Sequence, residues 1–217
     1  FTAKNVLNVT SIKIGFKEIK EYVDSIAKSV KSWFYIYNPD YSNYSEETKV
    51  WLRRLNRLGF GAFTPLIMAT MVKNAEETKL KELLRVAENF VFLVFAISRS
   101  PANTKNSHFY RVANYFYEDE KKWDIDKVIK EIDTLIYNET DNTGWLATDS
   151  FQTYIEKMYE RDLGFYSWNV LKYFLYEYEE HLQKMANGDT KILWDEFNKR
   201  KKEETIEHIY PQTPNKE

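Results

Sequence analysis

The sequence predicts an all-α protein, a single irregular bundle of about seven to nine helices with an extended C-terminal tail. Three observations lead there. Apolar residues recur at three- and four-residue steps along most of the chain, the spacing of one helix face. Only six Gly and five Pro stand in 217 residues, too few turn formers for a many-stranded sheet. Aromatic residues make up 17% of the chain, with 16 Tyr and 14 Phe, implying thick seams between helices with hydroxyls at their edges. At this length a mainly helical domain has room for a real core without dividing. The expected organisation is a helical domain over residues 1–198, then a linker and the start of a further domain over residues 199–217.

Residues 1–15 are mixed and β-branched, an irregular lead-in. From Phe16 to about Tyr37, residues Phe16, Ile19, Tyr22, Val23, Ile26, Ala27, Val30, Trp33 and Phe34 mark an amphipathic helix that Asn38-Pro39-Asp40 stops. Ser45, with Glu46 and Glu47 in the first turn, opens a helix to Leu58. Gly59 and Gly61 bracket a turn, and Thr64-Pro65 reads as N-cap and first residue of a short apolar helix through Val72. A Gly-rich hinge before a Thr-Pro start has the parts of an anion cradle, and equally those of a plain helix-helix turn.

The longest uninterrupted pattern runs from Glu76 to about Ser98, amphipathic first and apolar on every face after. A helix apolar all round must be surrounded, so this segment is expected at the centre. Arg99 to Asn103, with Pro101, ends it. A helix over about Ser107–Tyr117 presents Phe109, Val112, Ala113 and Phe116, and Asp124 caps another through Tyr137 along Ile125, Val128, Ile129, Ile132, Leu135 and Ile136. Thr148 or Asp149 begins a helix ending near Gly164. Ser167 is expected to cap a helix from Trp168 to about Met185, buried along Val170, Leu171, Phe174, Leu175, Tyr178 and Leu182. Asn187-Gly188-Asp189 stops it, and Ile192-Leu193-Trp194 anchors a short segment beyond.

Composition narrows the chemistry. The 31 basic and 33 acidic residues nearly cancel, so any contact with nucleic acid needs a local patch. Zero cysteines exclude disulfides and thiolate metal sites and agree with a reducing, cytoplasmic setting. The longest apolar run, Phe90 to Ile97, has eight residues against the ~20 that span a bilayer, so no membrane partner is expected. His108 reads as a partly packed surface histidine, with no carboxylate or histidine at ligand spacing. Glu177 and His181 share one helix face as an i, i+4 pair, but two donors are too few for a metal site.

The most informative stretch is Thr205 to Pro214, which holds Glu207-His208-Ile209-Tyr210-Pro211-Gln212. A carboxylate suits a hard divalent cation, and a histidine is the side chain able to act as general base near pH 7 unaided. Pro211 fixes φ and favours a turn just after the histidine. In front stand Lys199, Arg200, Lys201 and Lys202, four cations able to hold a DNA backbone or to form a solvated link, with Glu203 and Glu204 weakening their field. Read blandly, Glu207 and His208 are solvated residues of a strand and turn.

The hexapeptide Glu207 to Gln212 resembles the Glu/Asp-His-Ile-x-Pro-Gln signature of the His-metal-finger (HNH-like) nuclease domain in GmrSD-type, modification-dependent (type IV) restriction endonucleases. Leu55 to Leu66, Glu88 to Ile97 and Trp168 to Leu182 resemble, more loosely, the helical region joining that family's two catalytic domains. The resemblance implies His208 as general base, Glu207 as metal ligand for Mg²⁺ or Mn²⁺, Pro211 and Gln212 as motif support, and metal-dependent hydrolysis of glucosylated or methylated foreign DNA. It implies as partners DNA, a nucleotide-hydrolysing N-terminal domain and a C-terminal nuclease domain of the same protein. The family's Asp-Gly-Gln-Gln-Arg motif, through which a nucleoside triphosphate would bind, has no counterpart here. The chain also stops nine residues after His208, before the Asn or His that completes such a finger. The expectation is that this piece binds no cofactor and cleaves nothing alone. The competing expectation is a helical interaction or scaffold module without chemistry.

Overall fold

The computed structural model describes residues 15–97, 105–118, 123–137, 148–161, 170–188 and 193–199. The N-terminal lead-in before Gly15 and the extended tail expected after Lys199 lie outside these. Every regular element among the described residues is helical, as the sequence predicts. The chain divides into two compact units, residues 1–164 and 165–217, and the expected boundary at residue 199 falls inside the second.

The first unit holds α1 (Phe16–Tyr37), a 3-10 turn (Pro39–Tyr41), α2 (Glu46–Leu58), α3 (Thr64–Val72), α4 (Glu77–Phe90), α5 (Asn106–Glu118), α6 (Ile125–Ile136) and α7 (Thr148–Glu160). Its packing is built outward from α3 and α4. Helix α3 touches α1, α4 and α5, while α4 touches α2, α3 and α6. The sequence points to the segment after Glu76 as the centre, and the short α3 shares that place. Leu66, Ile67, Ala69, Thr70 and Met71 are all buried, so α3 has almost no solvent face. On α4 the buried set is Leu80, Leu83, Leu84, Val86, Ala87 and Phe90. Three phenylalanines join these helices to α5. Phe63, Phe90 and Phe109 are fully buried, with ring centroids 5.5 Å (63–90), 4.3 Å (63–109) and 5.1 Å (90–109) apart.

Beyond Phe90 the expected α-helix continues as a π-helix over Val91–Ile97. Val91, Val94 and Ile97 are buried, while Leu93 and Phe95 pack partly buried against the core. The i→i+5 bonding of a π-helix takes one more residue per ring than an α-turn, so an unbroken apolar run does not distinguish the two.

Local signals account for most boundaries. Gly59 adopts φ +84 and its N–H donates to the Leu55 carbonyl at 2.8 Å, ending α2 in a conformation L side chains rarely adopt. Asn74 (φ 52) ends α3, and Asn187 (φ 51) ends the last long helix of the second unit. Asp124 caps α6 as expected, its Oδ1 accepting from the Lys127 N–H at 2.7 Å. In the first unit the start of α3 differs from what the sequence predicts: Phe63 is its N-cap, and Thr64 and Pro65 are its first two residues. The Phe63 carbonyl already accepts from the Ile67 N–H at 3.0 Å, and Pro65 is tolerated because first-turn N–H groups have no helical partner.

Helix α2 carries a second cap from a distant part of the chain. Ser45 Oγ accepts from the Thr48 N–H at 3.4 Å, as the sequence predicts. From the first turn of α4, Glu77 Oε1 also accepts from the Ser45 N–H at 2.8 Å, from the Ser45 hydroxyl at 2.6 Å and from the Thr48 hydroxyl at 2.5 Å. These bonds, the Ser45 hydroxyl first, hold the Glu77 carboxyl below the usual glutamate range. A depressed carboxyl contributes stability above its unfolded pKa and loses it as pH falls through the folded value. Glu77→Gln should therefore cost about 1 kcal/mol at neutral pH, allowing for solvent screening, and less in acid. Urea unfolding of both proteins at neutral pH and below pH ~4 measures this. An equal difference at the two pH values would assign the effect to shape rather than charge.

Helix α1 has the bounds its apolar spacing predicts, but it packs through a different face. Ser32 and Ile36 are buried and Ser25 and Ser29 half-buried, whereas Phe16, Ile19, Val23, Ile26, Val30 and Trp33 are exposed. Serine side chains are short, which lets the α1 backbone lie close to α3. Asn56 then ties its C-terminal end, donating from Nδ2 to the Ile36 carbonyl at 2.8 Å. Tyr37 closes the contact, its ring stacked on Phe60 at 5.7 Å and its hydroxyl 3.2 Å from Thr64 Oγ1.

In the second unit, α8 (Leu171–Met185) and α9 (Trp194–Lys199) are described. The expected Ser167 cap and Trp168 start lie outside the described residues; the helix is described from Leu171, with Val170 as its N-cap at φ -110 and ψ 20. The expected buried stripe is corrected. Tyr173 is buried, while Leu175, Tyr178 and Leu182 are exposed. Helix α9 meets α8 on the side of Tyr176, where its Trp194 and Phe197 rings stand 5.2 and 6.0 Å from the Tyr176 ring.

Candidate functional site

Of the nuclease-like motif and the basic run before it, Lys199 is the one residue described. It closes α9, exposed, in the last turn, where a cation complements the helix dipole. Arg200, Lys201, Lys202, Glu207, His208, Pro211 and Gln212 lie outside the described residues. Their chemistry is that of the donor set: a carboxylate and an imidazole side by side, preceded by four cations.

Glu177 and His181 lie on α8, His181 exposed and Glu177 half-buried. Among the described residues no group of three His, Asp or Glu side chains stands close enough to hold a metal ion. The glycine hinge before α3 acts as a helix-helix turn: the Phe63 N–H donates to the Phe60 carbonyl at 2.8 Å, and the Thr64 hydroxyl faces Tyr37.

His108 is half-buried at the start of α5, with Nε2 3.4 Å from Glu131 Oε1 on α6 but without hydrogen-bond geometry. Burial lowers its pKa and outweighs the opposing pull of Glu131, leaving the imidazole neutral at pH 7. Glu131 is a partner that local spacing misses, since the pairing of α5 with α6 brings the two together. One carboxylate beside a neutral ring completes neither a triad nor a ligand set.

An open cleft of about 520 Å³ lies between α1, the end of α3 and the end of α5. Glu21 and Asp24 line it opposite Lys28 and Lys73, and the Lys73 ammonium stands 5.5 Å from the ring centres of both Phe116 and Tyr117. Two anions and two cations leave it without a net field for a charged ligand. Elsewhere the surface is laced with ion pairs, among them Arg53 with Asp40 and Glu46, Lys79 with Asp126 and Lys81 with Glu47. These join neighbouring elements and are individually weak.

Protein-family models, curated proteins and solved structures all lack a match to this chain. No helix among the described residues is long and apolar enough to cross a membrane.

Proposed function

We propose that this chain is the helical region of a GmrSD-like modification-dependent restriction endonuclease, whose complete protein cleaves modified foreign DNA by metal-dependent phosphodiester hydrolysis. The observation that carries the reading is the run Glu207-His208-Ile209-Tyr210-Pro211-Gln212 behind Lys199 to Lys202. Glu207 would hold a divalent cation, Mg²⁺ or Mn²⁺ suiting its hard oxygens, and the cation would supply positive charge to the phosphate. His208 would take a proton from the attacking water, because its ordinary pKa leaves it largely neutral at pH 7. Lys199, Arg200, Lys201 and Lys202 would hold the phosphate backbone in register without reading sequence. Nucleoside triphosphate hydrolysis would belong to a separate N-terminal domain. An all-α frame suits a region that joins two catalytic domains.

The test is cleavage of glucosylated or methylated phage DNA with Mg²⁺ or Mn²⁺, by the complete protein and by the 217-residue chain. Cleavage by the complete protein and none by the chain is the expected result. Robust cleavage by the chain alone, or cleavage of unmodified DNA at an equal rate, would overturn it. A second reading, a helical interaction module, draws support from the apolar residues that α1 turns to solvent.

A further inference from the structure

The outward face of α1 has a stricter order than an amphipathic helix needs. Phe16, Ile19, Val23, Ile26, Val30 and Trp33 follow one another at steps of three, four, three, four and three, and Tyr37 takes the next step of four. This is the a/d spacing of a coiled-coil seam, with Phe16, Val23, Val30 and Tyr37 at a and Ile19, Ile26 and Trp33 at d. It is sustained over three heptads, the whole of a 22-residue helix, or roughly 33 Å. Every one of these residues is exposed, Phe16 at 84%, Val23 at 55% and Val30 at 58%. The rest of the bundle takes a different face of the same helix, the serine stripe ending in Ile36, about 120° around from the seam.

We infer that α1 is a self-association surface, and that a second copy of this chain covers the seam by laying its own α1 against it. Three observations select that occupant. First, the seam is a narrow a/d stripe, and the partner that fits such a stripe is another helix carrying the same spacing. In a two-fold pair each copy supplies the same patch, so the complement is already present. Second, the area is right. With the flanking Tyr22 and Phe34, both exposed, the six free seam residues present roughly 800 Å² per copy, about what one partner contributes to a standard stable interface and more than the largest apolar patch of most monomers. Third, the polar face argues against an anionic membrane as the occupant. Lys17, Lys20, Lys28 and Lys31 are nearly matched by Glu18, Glu21 and Asp24, where a membrane-surface helix would be strongly cationic. The inference rests on α1 alone and is independent of the nuclease reading.

Sedimentation of the 217-residue chain at micromolar concentrations is the experiment. Twice the mass of one chain is expected for the native sequence, and the mass of one chain for the double variant Val23→Glu, Val30→Glu. Both substitutions lie on solvent-facing positions, so the variant keeps its helical circular dichroism. Lys28→Glu, on the polar face, should leave the dimer intact. A monomeric native chain would overturn the inference, as would a dimer indifferent to the double substitution. So would a native chain that stays monomeric yet cosediments with phosphatidylserine vesicles, which would assign the seam to a lipid surface.

Discussion

Replacing Phe63 with alanine should destabilise the first unit by about 3–5 kcal/mol, the range for a fully buried phenylalanine truncated in a packed core. The reason lies in where the ring sits. Phe63 is the N-cap residue of α3, and its fully buried side chain meets Phe90 from α4 and Phe109 from α5 at centroid distances of 5.5 and 4.3 Å. Truncation leaves a void among three helices whose backbones are separately anchored, so the walls cannot close. The edge contacts between rings are lost along with the buried area. Against the 5–15 kcal/mol typical of whole domains, a loss of about 3–5 kcal/mol removes roughly a fifth of the stability at the least. Urea unfolding followed by circular dichroism measures it, with an unchanged slope showing that the exposed area on unfolding is the same. Phe95→Ala is the comparison, because Phe95 packs only partly buried against the core, 5.2 Å from Phe90, and should cost less. A Phe63→Ala loss under about 1 kcal/mol would show that the three rings are not the joint between α3, α4 and α5.

The second large effect concerns the proposed chemistry. In the complete protein, His208→Ala should slow cleavage of modified DNA by about 10²–10⁴-fold, the contribution of a positioned general base. Binding should be nearly unaffected, since the phosphate contacts proposed for Lys199 to Lys202 would supply affinity that does not depend on the imidazole. The pH profile gives a second readout. A histidine base loses activity as pH falls below about 6.5, and the variant should lose that limb while keeping its residual rate. Glu207→Ala should instead raise the Mg²⁺ or Mn²⁺ concentration needed for half-maximal rate, because it would remove the proposed metal ligand rather than the proton acceptor. Equal cleavage by His208→Ala and native protein would reject the assigned base.

What the sequence makes legible follows from the range of the interactions. The bounds of α1, α2 and α6 and the buried set of α5 are readable because caps and three-four spacing are properties of neighbouring residues. Which face of α1 meets the bundle is not readable that way, since hydrophobicity favours the stripe from Phe16 to Trp33 and the fit against α3 favours the serines. The ring contacts of Tyr176 on α8 have the same origin: they are made with Trp194 and Phe197, well along the chain. Glu77 over Ser45 and Glu131 beside His108 are likewise pairings made by helix packing. The candidate site is the reverse case. Glu207 and His208 are legible only as a motif, and they lie outside the described residues.

The π-helical run Val91–Ile97 has a consequence for how this chain tolerates insertion and deletion. Its wide turns already house a surplus residue, so removing one there would tighten the run to ordinary helical winding and leave the downstream register in place. The same deletion a few residues earlier, inside α4, would swing Leu80, Leu83 and Leu84 by about 100° relative to Phe90 and pull that ladder of leucines away from its partners. A one-residue deletion is thus absorbed within Val91–Ile97 and costly a few residues before it, inside α4.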